Sequence, residues 1–211
     1  PCFFWYNTEK RIRNGNMRKI LFSRESACIQ PLRCLIEKQT HKTLVLWALD
    51  CAPRFLEIFE RDFPDDTRPR ELIGIAQMWA EGKVKMPIAK KAIHAAHHAA
   101  TEAEGHPAAQ AAARAIGHAA ATIHVETHAL GLVFYGLTAL IYDERPENAE
   151  ALAASECAWY YDRLKYWESN GDKADRKWAA FLQRTDVPNK EALLRKRMEA
   201  KNAGVQSGTK R

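Results

Sequence analysis

From residue 92 to residue 121 every other residue on average is alanine, fifteen in thirty. No other feature constrains the fold as strongly. Helices lined with alanine and glycine approach one another closely, with short side chains interlocking across the contact. A helix that is small and apolar all round is covered on every side by other helices. The stretch from residue 92 to residue 140 therefore reads as the heart of a helical bundle.

The rest of the chain agrees. Its apolar periodicity is helical throughout, and no alternating run with an Asn-Gly or Asp-Gly turn suggests a hairpin. "SACIQPLRCLIEKQ" reads as a first helix, with Pro31 in its first turn or breaking it. "HKTLVLWALDCAPRFLEIFERDF" is a second, and Pro53 predicts a kink near Cys51. "PDDTRPR" stops that helix and restarts the next, with Asp66 or Thr67 as cap. Further helices end at Gly82 and Gly105. Residues 106–144 would make one helix longer than ~50 Å at about 1.5 Å per residue, too long for a compact domain of this size. A break between Thr122 and Thr127 is expected instead. Another helix opens at Pro146 and closes at Gly171, two helical segments follow, and "VQSGTKR" reads as a disordered tail. The expected fold is all-α: a single-domain antiparallel bundle of seven to nine helices with an alanine-rich central pair. Residues 41–171 form its core, 1–40 an N-terminal extension that is partly helical, and 172–211 a basic extension. Met17 opens "MRKILFSRES", so residues 1–16 read equally as an extension or as a start assigned upstream.

The net charge of +6 hides a division. Residues 1–40 carry +5, residues 172–211 carry +6, and the stretch between them carries −5. A basic chain average thus does not make the core a nucleic-acid binder. Nucleic-acid contact would fall to the basic ends, with "LLRKRMEAK" as the amphipathic candidate. No apolar run reaches the roughly 18 residues of a membrane span, and residues 129–142 are the longest. The opening residues lack the pattern of a signal peptide. Five cysteines, Cys2, Cys28, Cys34, Cys51 and Cys157, show no Cys-x-x-Cys and no regular spacing. They read as reduced thiols of a cytoplasmic protein.

Seven of the eight histidines lie in "IHAAHHAATEAEGH" and "GHAAATIHVETHALG". His94, His97 and His98 fall within about 100° of arc on one helix. His124 and His128 are spaced as a metal half-site, because imidazoles at i and i+4 point the same way. His94, His98, His124 and His128 are thus the candidate metal ligands of a metal-binding or metal-dependent hydrolase reading. Yet "HVETH" is not His-Glu-x-x-His, and a full site needs further ligands and orienting partners. The stronger reading places the histidines at helix contacts or on the surface, with His118 and His128 buried and hydrogen-bonded. Arg114 reads foremost as half of an interhelical ion pair, and Trp47 and Trp79 as core. Phosphate-binding, dinucleotide-binding and nucleophile-elbow motifs are missing from the sequence. No cofactor and no catalytic residue is therefore expected.

The segments "LWALDCA", "DDTRPR", the Trp-Ala-x-Gly helix end, "HAAHHAA" and "GHAAATIHVETHALG" together resemble the bacterial immunity proteins with an immunity-protein-five-like helical domain. The resemblance spans about residues 41–142. It implies an all-helical fold and a role in binding and neutralising a cognate protein toxin, with no catalytic residues to carry over. The acidic middle of the chain is compatible with a basic partner. Asp62, Asp65, Asp66, Asp143, Glu144, Glu147 and Glu150 gather in two inter-helix turns. Asp65, Asp66, Glu144 and Glu147 are the candidate partner-binding residues.

Overall fold

The computed structural model describes residues 20–171, 177–184 and 186–208, the last seven by backbone alone. Every regular element among them is helical. The α-helices are α1 (Gln30–Ile36), α2 (His41–Cys51), α3 (Leu56–Asp62), α4 (Arg68–Ala80), α5 (Met86–Glu102), α6 (Pro107–Ala121), α7 (His128–Glu144), α8 (Ala149–Asn170) and α9 (Lys190–Gly208). Short 3-10 turns occupy Ala27–Ile29, Ala52–Phe55 and Ala180–Gln183. The fold is all-α, as the sequence indicates.

Helix α6 is the hub. It packs against α2, α3, α4, α5, α7 and the Ala52–Phe55 turn. Ten of its residues are buried, and eight of those are alanine. Only such short side chains allow so many neighbours around one helix. Residues 122–127 then return the chain so that α7 packs along α6, which places the break where length demanded it. Large residues fill the space outside this alanine centre: Trp47, Phe55, Phe59, Ile116, Leu130 and Tyr160 are all fully buried. Trp47 and Trp79 are core, and Trp47 Nε1 donates to the Tyr160 carbonyl at 3.1 Å.

The punctuation signals act at specific atoms. Pro53 turns Ala52–Phe55 into a 3-10 segment separating α2 from α3. Asp66 Oδ1 accepts from the Arg68 backbone N–H at 3.1 Å, while the side chain of Thr67 makes no cap. Gly82 and Gly105 leave their helices with φ of 74° and 92°, a region that favours glycine. Three boundaries differ from the sequence reading. Helix α8 opens at Asn148, whose Oδ1 accepts from Ala151 N, because this cap takes over from Pro146. The described part of "KADRKWAAFLQR" contributes only the Ala180–Gln183 3-10 turn, whose Leu182 is buried. Helix α9 continues through Gly208, so "VQSG" is helical and not disordered. Residues 1–16 lie outside the described residues.

The flanking segments clasp each other across α1. Asn189 Nδ2 donates to the Ile36 and Gln39 carbonyls at 2.9 and 3.0 Å. Its Oδ1 accepts from Glu191 N at 2.9 Å. One side chain thus serves the orphan carbonyls ending α1 and the orphan N–H groups opening α9. Glu191 is fully buried and accepts from Arg24 through both oxygens, at 2.7 and 3.1 Å. Arg33 lies 3.7 Å from Glu191 and 3.2 Å from Glu37, and Arg195 of α9 lies 3.0 Å from Glu37.

Candidate functional site

Two polar regions stand out, one at each end of α7. At its N-terminal end the histidines converge. His118 Nδ1 and His128 Nδ1 share a hydrogen bond of 3.0 Å. The His97 ring meets His118 edge-on with centroids 5.3 Å apart, and His124 lies 5.3 Å from His128. Tyr135 stacks on His118 at 5.1 Å. The result is a continuous half-buried column, His97–His118–His128–His124, drawn from α5, α6, the 122–127 turn and α7.

Two glycines make the column possible. A Cβ on Gly117 would come within 2.6 Å of His97 Cε1, and one on Gly131 would collide with the His118 ring. The imidazoles occupy the volume that any other residue would claim. Beside the column His41 donates from Nε2 to the Thr122 carbonyl at 2.6 Å. Its Nδ1 lies 3.8 Å from Glu126 Oε1, and Lys190 approaches Glu126 Oε2 to 3.6 Å.

Burial governs the protonation of the column. It lowers His97 to about 4, and Arg114, His128 and His94 push the same way. His118 falls to about 3 through burial, then through His128, His97 and Arg114. His124 falls to about 4 through burial, then through His128, Lys90, Lys190 and His41. His128 is lowered by burial and by Arg24. At neutral pH these rings are therefore uncharged, which suits a 3.0 Å contact in which one Nδ1 donates and the other accepts.

The four histidines expected as metal ligands do not come together. His124 and His128 belong to the column, whereas His94 and His98 are exposed on α5. His98 Nδ1 lies 3.0 Å from Glu102. Among the described residues no group of three or more His, Cys, Asp or Glu side chains is arranged to hold a metal ion. The sequence marks His118 and His128 as hydrogen-bonded but does not pair them with each other. The legible hint was the glycine at 117 and again at 131, each needed opposite a ring. Arg114 takes no carboxylate partner and donates to Thr101 Oγ1 at 3.0 Å, because α5 presents a hydroxyl at that level.

The C-terminal end of α7 is acidic. Arg61, in the last turn of α3, donates to both oxygens of Asp143, the shorter bond being 2.7 Å. This pair links the end of α3 to the end of α7. Asp65, Glu144 and Glu147 are exposed there. Asp66 is different: both its oxygens are engaged by Arg68, which also reaches Glu102. The hydrogen bonds from Arg68 hold Asp66 and Glu102 below the usual carboxylate range. Asp62 lies 2.8 Å from His106 Nδ1, and Arg70 pairs with Glu60. Arg145, in the second turn, takes a left-handed φ of 46°.

An all-helical bundle with an alanine hub, a neutral histidine column and one acidic end is a compact helical protein without a recognisable catalytic constellation among its described residues. The chain belongs to the family described as "Imm-5 like putative immunity protein", which it matches over residues 34–166. That match is wider than the 41–142 of the resemblance and takes in the end of α1 and most of α8. No curated protein and no solved structure gives a significant match. Among the described residues no helix is long and apolar enough to cross a membrane.

Proposed function

We propose that this protein binds and neutralises a cognate protein toxin in the cytoplasm, and that the acidic end of the bundle faces that partner. Family membership supports the class of function. The observation that supports this surface is the Arg61–Asp143 pair, which links the ends of α3 and α7 from which the two acidic turns leave. Exposed carboxylates on a rigid end steer a basic partner without a deep pocket. A basic enzyme such as a nuclease fits that chemistry. Asp65, Glu144 and Glu147 supply the outward charge, and Asp66 shapes the turn that presents it.

The test begins with the gene beside this one, which should encode a larger toxin. The two purified proteins should form a tight complex. Asp65→Asn, Glu144→Gln and Glu147→Gln combined should slow association about tenfold at low salt and flatten its salt dependence, since rim charges act chiefly on encounter. Dissociation should change little. An unaltered association rate with the true partner would remove the acidic face from the interface.

A further inference from the structure

We infer that the histidine column is an acid-sensitive switch in the fold: neutral, it closes α5, α6 and the turn into α7 against one another, and protonated, it drives them apart. The reading is independent of toxin binding and rests on geometry. The His118–His128 hydrogen bond holds one proton while both rings are neutral, and protonating the accepting Nδ1 as well would set two N–H donors head to head 3.0 Å apart. His97 and His124 flank the pair, and each keeps a buried Nδ1 with no hydrogen-bond partner among the described residues. Gly117 and Gly131 let the His97 and His118 rings pack directly against the backbone of α6 and α7.

The surroundings offer almost no relief. Lys90 and His94 face the column from α5, Arg114 from α6, His41 from α2, Lys190 from α9 and Arg24 from the segment ahead of α1. Tyr135 of α7 covers His118 with a neutral ring. Among the described residues the neighbouring carboxylate is Glu126, and it already answers His41 and Lys190. Each added proton therefore meets other positive charge. It would also act on the clasp, since Arg24 and Lys190 belong to the segments that Glu191 and Asn189 tie down.

The sign follows from linkage. Rings depressed to about 4 at His97 and His124, and about 3 at His118, return toward 6.5 when water reaches them. Their contribution is complete above pH 6.5 and drains away as the pH falls toward the folded values. Between pH 7.5 and 5.0 each such ring raises the opening constant by up to about thirty-fold. Ordinary carboxylates stay ionised over most of this window.

Urea unfolding of the full chain, followed by tryptophan fluorescence at pH 7.5, 6.5, 5.5 and 5.0, reads the effect. Wild type should show an unfolding constant that rises more than thirty-fold across the series. His124→Gln lies in a half-exposed turn and keeps a polar side chain. It should remove up to about thirty-fold of that rise, His128→Asn should also reduce it, and His98→Gln on the exposed face of α5 should leave it unchanged. Hydrogen exchange, corrected for intrinsic rates, should lose protection at residues 118–131 before α2. A wild-type rise of less than about threefold overturns the inference. So does a His124→Gln/His128→Asn double variant with the wild-type pH profile, or exchange that begins in α2.

Discussion

The two ends of α7 use ionisable side chains in opposite ways. At its start, His128 joins a column in which burial strips the rings of charge and glycines hold them together. Close by, Glu191 is fully buried, and Arg24 and Arg33 meet it there. At its end, Asp143 and Arg61 pair at the surface, and Glu144 and Glu147 stand in water. Residue type decides neither outcome. Solvent access does, because desolvation makes an unpartnered charge expensive and a missing partner consequential, while water makes surface pairs weak. The first end is built for integrity, and the second is the one proposed for encounter.

The sharpest way to break this contrast is Glu191→Ala. Removing Glu191 takes both carboxylate hydrogen bonds from Arg24 and leaves the buried Arg33 with Glu37 as its remaining buried partner. The expected loss is about 3–5 kcal/mol in urea unfolding. Arg61→Ala at the acidic end should produce no resolvable loss. If the two variants unfold alike, the division between the ends is wrong.

Gly131→Ala and Gly117→Ala come next. Each methyl group would force a ring of the column off its position, destabilising by about 1–3 kcal/mol as overpacking does. The control is Gly74→Ala in α4, where a Cβ would meet nothing within 4 Å. There the helix should gain about 0.5–1 kcal/mol. Equal effects at the three glycines would show that the column tolerates displacement.

The acidic end can be divided further. Asp66→Asn should cost up to about 1 kcal/mol, because it removes the charge that Arg68 engages through both carboxylate oxygens. Asp65→Asn should leave thermal unfolding unchanged while slowing association with the partner. That pair of outcomes separates a carboxylate that shapes the turn from one that faces outward. The smallest effect is expected at Arg145. Arg145→Gly should stabilise by somewhat under about 1 kcal/mol, since the left-handed backbone there favours glycine. A loss would mean that the Arg145 side chain makes contacts that outweigh its backbone strain.

Much of the fold was legible in the sequence. Pro53, Gly82, Gly105 and the 122–127 break act where their covalent chemistry and the limit on helix length require. The alanines of 107–121 mark the hub because no larger residue permits six neighbours around one helix. These are local properties, carried by each residue and its immediate chain. The acidic turns were legible as turns, for the same reason.

Tertiary packing decided which charges matter and which rings touch. Four residues after Gln110 the sequence offers Arg114, yet only the packing of α5 gives it Thr101 in place of an acid. His94 and His97 are three residues apart on one helix. One faces water and the other loses its charge in the column, because α6 covers only one side of α5. Glu191 sits in a basic stretch that reads as solvated, and it becomes fully buried because Arg24, 167 residues away, meets it across α1. The sequence by itself determined the helices, their breaks and the alanine centre, since those follow from backbone and side-chain volume. Only the tertiary structure determined protonation and pairing, since those depend on how much water the assembled neighbours exclude.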